Sequence, residues 1–362
     1  MEPAIETPVI VRRDGAITRI TLNRPRAINA LNCETLELLR AAVTTANADG
    51  SSAIVLDGAG ERGLCGGGDI KEIRATDQAA FFSLEYGVDY LIHTSAVPVV
   101  AFMDGIVMGG GIGISGHAAH RVVTERSRLA MPEVRIGIVP DVGGHLLLAN
   151  APDRLGEYLA VTAGEFGAAD AIALGFADAC VPSEQLEALA SDLASGTDPA
   201  AAIAALSIDP GARPLAAIAE WWCPLVEDVL VAHDPLSDPV LAAQALLAAL
   251  DANPCEVARE TADVMRGMCP TSLAITLAQL ARTRAESLDL AAVLRDDFRV
   301  LTRIGSRYDF IEGVRAQVIH KDRNPAWQPS SLDELDADEV RSHLSPASAT
   351  EAELELIPCS TR

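Results

Sequence analysis

Residues 131–144 read MPEVRIGIVPDVGG and set two acids, Glu133 and Asp141, eight positions apart. Each follows a proline, and an apolar run separates them. A lone acid after proline commonly caps a helix, and a lone Asp before Gly143-Gly144 commonly forms an Asx turn. A pair at the two ends of a buried run has another use. If the run passes through the core, both carboxyls return to one pocket. An apolar wall then raises a carboxyl pKa, and a second acid nearby raises one of the two further. Two glycine clusters could serve the same chemistry, LCGGGDI at 64–70 and MGGGIG at 108–113. Glycine lets the backbone approach a ligand and aim N–H groups at it. One N–H from each cluster, aimed at a shared carbonyl oxygen, makes an oxyanion hole. Neither cluster fits the phosphate-loop pattern, and the second lacks the full dinucleotide fingerprint. Cys65 lies in the first cluster, but no histidine stands in a pairing motif with it, so it reads as packing. His117 and His120 read as structural.

The elements that must position these residues alternate. VIVRRDGAITRITLN (8–23) predicts a hairpin turning at Asp14-Gly15, and 34–48 carries apolar residues at helical spacing. SAIVLDGAG (52–60) reads as a buried strand, 77–93 as a helix, and 97–115 as strand, turn and glycine loop. RVVTE (121–125) is a further strand. This alternation predicts an α/β fold. From about residue 185 to 320 the chain is rich in Ala and Leu with helical periodicity, as in LAAQALLAALDA (241–252). The predicted units are a core domain at 1–195, a helical C-terminal region at 196–330 and an acidic tail at 331–362. The tail holds eight acids and two arginines and reads as solvated.

The chain has 362 residues, about half of them hydrophobic, with 28 Lys and Arg against 51 Asp and Glu. The net charge of −23 argues against non-specific binding to nucleic acid or anionic membranes. Its least charged stretch, Thr94 to Gly116, holds Asp104, Pro98 and six glycines, so it is not expected to span a membrane. MEPAIETP has neither a basic nor an apolar segment of the secretory kind, which leads to an expectation of a cytoplasmic protein. Seven irregularly spaced cysteines without CxxC read as reduced thiols, with no metal site expected.

Four stretches carry a resemblance. LNRPRAINAL (22–31), LCGGGDI (64–70), VPVVAFMDGIVMGGGIG (97–113) and AMPEVRIGIVPDVGG (130–144) resemble, in this order, the crotonase or enoyl-CoA hydratase/isomerase superfamily. The resemblance implies a ClpP/crotonase-like spiral core of repeated ββα units with two perpendicular sheets, and a helical C-terminal region. It implies acyl-CoA thioester substrates and an oxyanion hole from Gly68 and Gly110. Hydratases of the family carry two catalytic glutamates. One falls on Glu133, while the other falls on Gly113, which cannot titrate. Glu85 in FFSLEY, with Gly110, Glu133 and Asp141, is similar to the branch that hydrolyses 3-hydroxyisobutyryl-CoA in valine catabolism. MCPTSLAITLAQL (268–280) and DFIEGVRAQVIHKDRNPAWQP (309–329) are similar to it too. That branch implies release of CoA and a 3-hydroxy acid, catalysis by Glu133 and Asp141, and a substrate-binding Glu85. Arg24, Arg26, Ala27 and Lys71 would lie near the CoA. No cofactor beyond the CoA of the substrate is implied, and a homo-oligomer is. An enoyl-CoA hydratase or isomerase using Glu133 and Asp141 is the alternative, and a non-catalytic acyl-CoA-binding protein a further one.

Overall fold

The computed structural model describes residues 7–359. β1 (Val9–Asp14) and β2 (Ile17–Leu22) form the expected antiparallel hairpin, with Gly15 at φ +51° in its turn. β3 (Ala53–Gly58) and β4 (Val99–Met103) extend the sheet in parallel. A separate parallel pair is β5 (Ile106–Met108) with β7 (Arg128–Ala130). β6 (His120–Val123) and β8 (Ala179–Cys180) complete the large sheet, in the order β1-β2-β3-β4-β6-β8. Such strands are apolar on both faces because helices cover both. Side chains alternate between the faces. Ile54, Leu56, Val99, Ala101 and Met103 enter the main core, whereas Ala53, Val55, Val100, Phe102 and Val122 join a smaller core with the helices Leu186–Ala194 and Pro199–Leu206.

The crossovers carry the site. α1 (Cys33–Ala46) is capped by Asn32, whose side chain accepts from the Thr35 N–H. α2 (Ile70–Ala75) and α3 (Gln78–His93) link β3 to β4, and Asp77 caps α3. The predicted second glycine loop is instead a helix, α4 (Gly110–Gly116), entered through Gly109 at φ +49°. Glycine is a poor helix former. Close packing holds it here: a Cβ at Gly111 would lie 2.5 Å from the Cys65 carbonyl oxygen. α5 (Gly144–Asn150) follows Asp141.

Beyond residue 195 the chain is helical, as expected. The helix Pro270–Glu286 packs on α5 and is buried along most of its length; the helix Leu290–Ile304 packs on α3. One apolar cluster runs from Val9 to Cys359 without a break at 195 or 330. The tail reading needs correction. From 331 to 359 the chain buries Leu332, Val340, Leu354 and Cys359. Arg303 holds it down, pairing with Glu351 at 2.7 Å and donating to the carbonyl oxygens of Ser342, His343 and Ser345. Acids dominate the tail's composition, but apolar residues spaced among them dock onto the body. Among the described residues, no helix is long and apolar enough to cross a membrane.

Candidate active site

The two glycine stretches and both acids of 131–144 meet in one cavity of ≈ 230 Å³. Its floor is Gly66–Gly68 and Gly109–Gly110; its walls include Ile73, Phe82, Ile136, Ile138 and Val318. Leu31 bridges in parallel to Gly68 through the N–H groups of Leu31 and Asp69, which leaves the Gly68 N–H unbonded among the described residues. Gly110 is the first residue of α4, so its own N–H has no carbonyl one turn back. The two amides are neighbours: a Cβ at Gly110 would stand 3.3 Å from the Gly68 nitrogen. Glycine keeps both places open, since a Cβ at Gly110 would also meet Glu85 Oε1 at 2.4 Å and one at Gly68 the Ile73 side chain at 2.7 Å, and either side chain would have to move aside.

Glu133 opens a short 3-10 turn and is 5% exposed. The buried run Val134, Ile138, Val139 and Pro140 then carries the chain to Asp141, also 5% exposed. Tyr86 on α3 donates its hydroxyl to Asp141 Oδ2 at 2.6 Å. Glu85 and Asp89 sit four residues apart on α3, both buried. Glu85 Oε1, Glu133 Oε2 and both Asp89 oxygens have no hydrogen-bond partner among the described residues. Burial is the first cause that raises these carboxyls, and neighbouring acids add to it. Asp141 is pushed up to about 7 by burial and by Asp297, against the Tyr86 hydrogen bond. Glu133 is raised well above the usual range by burial and then by Asp141. Glu85 is raised by burial and Asp141, and Asp89 by burial and Glu85. Glu85, Glu133 and Asp141 are close enough that the charge of one raises the proton affinity of the next. The arrangement can take a proton at a cavity whose facing wall offers two amide donors, which is the requirement of acyl transfer.

Position 113 faces the same region. A Cβ there would lie 2.7 Å from the Val142 Cβ and 2.8 and 2.9 Å from the Asp89 oxygens. The space that a glutamate would need is filled.

Residues 17–344 match the enoyl-CoA hydratase/isomerase family. The chain belongs to that family. It is 34% identical to the mitochondrial 3-hydroxyisobutyryl-CoA hydrolase of Xenopus tropicalis over 93% of this chain and 88% of that protein. It is 32% identical to the Homo sapiens protein of the same name, over 92% and 88%. Among solved structures, a carnitinyl-CoA dehydratase from Mycobacterium thermoresistibile matches with a TM-score of 0.85 and 35% identity, over 96% of this chain and 98% of that one. An enoyl-CoA hydratase from Rhodobacter sphaeroides 2.4.1 matches with 0.83 and 34%, over 96% and 100%. The crotonase fold expected from the sequence is therefore the fold observed. The hydrolase relatives are named mitochondrial, which lends no support to the cytoplasmic expectation.

Of the predicted site residues of this family member, Glu85, Glu133, Asp141, Gly68 and Gly110 all line the cavity. Arg24 does not. Its guanidinium pairs with Asp69 at 2.9 Å and donates to the Ala30 carbonyl, so it ties the first glycine stretch to the α1 approach. Arg26 and Ala27 are exposed in a short 3-10 turn away from the cavity lining. Lys71 is exposed and lines an adjoining depression with Arg74, Val314 and Ile319. Cys65 is fully buried, its thiol pushed up to about 12 by burial and hydrogen-bonded to the Asn29 carbonyl, as a packing residue should be. His117 contacts the Val142 carbonyl at 3.1 Å, a structural role. Sequence reading missed Tyr86, Asp89, Arg135 and Gln317. Asp89 shares the helical face of Glu85 at a four-residue spacing that the sequence shows, and Tyr86 is its immediate neighbour on α3. Arg135 and Gln317 line the cavity, Gln317 from a π-turn at Arg315–Ile319 in the C-terminal region. No local pattern marks them.

Proposed function

We propose that this enzyme hydrolyses short 3-hydroxyacyl-CoA thioesters, with 3-hydroxyisobutyryl-CoA as its substrate, and releases CoA and the 3-hydroxy acid. The observation that carries the reading is the cavity itself: two free glycine amides face buried Glu133 and Asp141, while position 113 has neither a carboxylate nor room for one. Thioester cleavage needs little help at sulfur, since a thiol with a pKa of about 8.5 leaves readily as thiolate. It needs an activated nucleophile and a place for the oxyanion. Glu133 activates the attack on the carbonyl carbon. The Gly68 and Gly110 N–H groups receive the oxyanion, each such donor contributing about 2.7–4 kcal/mol. The C–S bond then breaks, and the proton taken at Glu133 returns to the departing thiolate. Asp141, held by Tyr86, orients the 3-hydroxyl group or the attacking water, and Glu85 closes the acyl end. The chemistry is complete without a metal or a cofactor beyond the substrate's CoA. The partner is an acyl-CoA, not nucleic acid or a membrane. The place in metabolism that the family resemblance implies is valine catabolism.

The test is a thiol-trapping assay over short acyl-CoA and 3-hydroxyacyl-CoA thioesters. Fastest release from 3-hydroxyisobutyryl-CoA or 3-hydroxypropionyl-CoA is expected; no release from any of them sinks the reading. One single turnover in H₂¹⁸O also locates the attack. Label in Glu133 marks an acyl-enzyme anhydride opened at the enzyme's carbonyl, and label only in the product excludes that opening. The names of the two solved structures favour hydration as a second reading. Loss of crotonyl-CoA absorbance faster than thioester cleavage at equal enzyme would put it first.

A further inference from the structure

The turn that carries Asp141 is held in a conformation it would not adopt alone. Val142 has φ +52° and Gly143 φ +73°, two left-handed residues in succession, the first of them β-branched. Such backbone persists only where its surroundings over-determine it. The contacts that do so come from four directions. The Gly144 N–H donates to the Asp141 carbonyl at 2.6 Å, and His117 meets the Val142 carbonyl at 3.1 Å. Tyr86 holds the Asp141 side chain. The fourth contact comes from 154 residues away. Asp297, on the helix Leu290–Ile304, accepts from the Gly143 N–H through Oδ2 at 2.9 Å. Its other oxygen lies 2.7 Å from His145 Nδ1, and both side chains are 0% exposed.

We propose that Asp297 and His145 are a positioning pair: they lock the strained turn and so hold Asp141 at the reacting end of the cavity. Neither touches the cavity, so neither is a catalytic residue. The reasons are geometric. A carboxylate can accept from a backbone amide on one oxygen while the charge of an imidazole nitrogen 2.7 Å from the other steadies it, and burial keeps water from competing for either contact. Space forbids slack as well. A Cβ at Gly143 would stand 2.5 Å from both His117 Nε2 and Leu290 Cδ1, so the turn is clasped by His117, the residue that ends α4, and by the same helix that bears Asp297. Removing the acceptor leaves a buried N–H without a partner, and the turn's easiest response is to relax, which carries Asp141 with it. The idea rests on the hydrolase reading of the cavity, so its test has two arms.

Full-length D297A and D297N are compared with the unaltered chain. The first arm is steady-state thiol release from 3-hydroxyisobutyryl-CoA. D297A should lose at least about tenfold in kcat with KM held within about twofold, because the displaced group serves the reaction and not CoA binding. D297N keeps an oxygen for the Gly143 N–H and should restore kcat to within about threefold of the unaltered chain. The second arm needs no activity. Hydrogen exchange of the Gly143 amide, followed by NMR, should quicken in D297A and not in D297N, while amides of β3 and β4 keep their protection. No thiol release by the unaltered chain would defeat the hydrolase reading, and the exchange arm alone would then decide the lock. Normal kcat and normal Gly143 exchange in D297A overturn the proposal, as does a D297N that is as impaired as D297A. Should D297A not fold, H145A is measured in its place, and unchanged kcat and exchange there overturn it equally.

Discussion

Glu133 and Asp141 differ in what their protons do, and pH separates them. In the proposed reaction Glu133 is ionised when it activates the attack. Burial and then Asp141 hold its pKa above the ordinary range, so the rate should climb with pH through a limb displaced toward neutrality. E133Q should cut kcat by roughly 10²-fold or more with an unchanged circular dichroism spectrum. D141N removes one anion beside Glu133, so it should lower kcat and also move the acid limb of kcat/KM to lower pH. A limb that stays or moves upward would mean that the two acids do not interact. Stability gives an independent reading. The folded pKa of Asp141, about 7, lies above the unfolded value of about 3.9. Its stabilising contribution is therefore full below pH ~4 and is lost as pH rises through about 7. By thermal melts, D141N should exceed the unaltered chain at pH 8, with the gap closing at pH 5.

At the scale of elements, α3 and α4 decide which reaction the cavity can run. α3 places Glu85, Tyr86 and Asp89 against α4, and α4 is glycine where those side chains need room. A glutamate cannot be restored at position 113 by one substitution, because the Val142 Cβ is attached to a clasped turn and cannot swing aside. G113A should lower stability by about 1–3 kcal/mol, read as a lower melting temperature. G113E should gain no hydration of crotonyl-CoA and should melt lower still. A stable G113E with new hydratase activity would show that Asp89 and Val142 yield, and would return the hydratase reading to the front.

Across the whole molecule the C-terminal helices are part of the site's frame. Asp297 and Gln317 reach it from beyond residue 195, and the helix Pro270–Glu286 supports α5. A fragment of residues 1–195 should show no cooperative thermal transition. A chain ending at 330 loses buried Leu332, Val340 and Leu354, at roughly 1.5–3 kcal/mol each before relaxation. It also loses the partners of Arg303. Its melting temperature should fall by about 10 °C or more, measured by calorimetry. An unchanged melting temperature would mean that the docked tail adds nothing to the fold.

What the sequence determined by itself is local chemistry. Glycine leaves room where a side chain would meet Ile73 at position 68 and Glu85 at position 110, so the two clusters are written where the cavity needs open backbone amides. Strand alternation and helical spacing follow from the periods of 2 and 3.6, so β1 to β4, α1 and α3 were legible to within a residue or two, while the glycines of α4 read as a loop. Prolines and glycines bracket Glu133 and Asp141 and mark them as ends of one segment. What only the tertiary structure decided is which charged residues are dry. Asp89 and Asp297 are dry, yet in sequence they look like exposed acids such as Asp228 and Asp263, each a carboxylate on a helix. Which side of that helix meets its neighbours is set by packing from parts of the chain more than a hundred residues apart. Burial of a charge, and hence its proton affinity, is a property of that packing and of no local pattern.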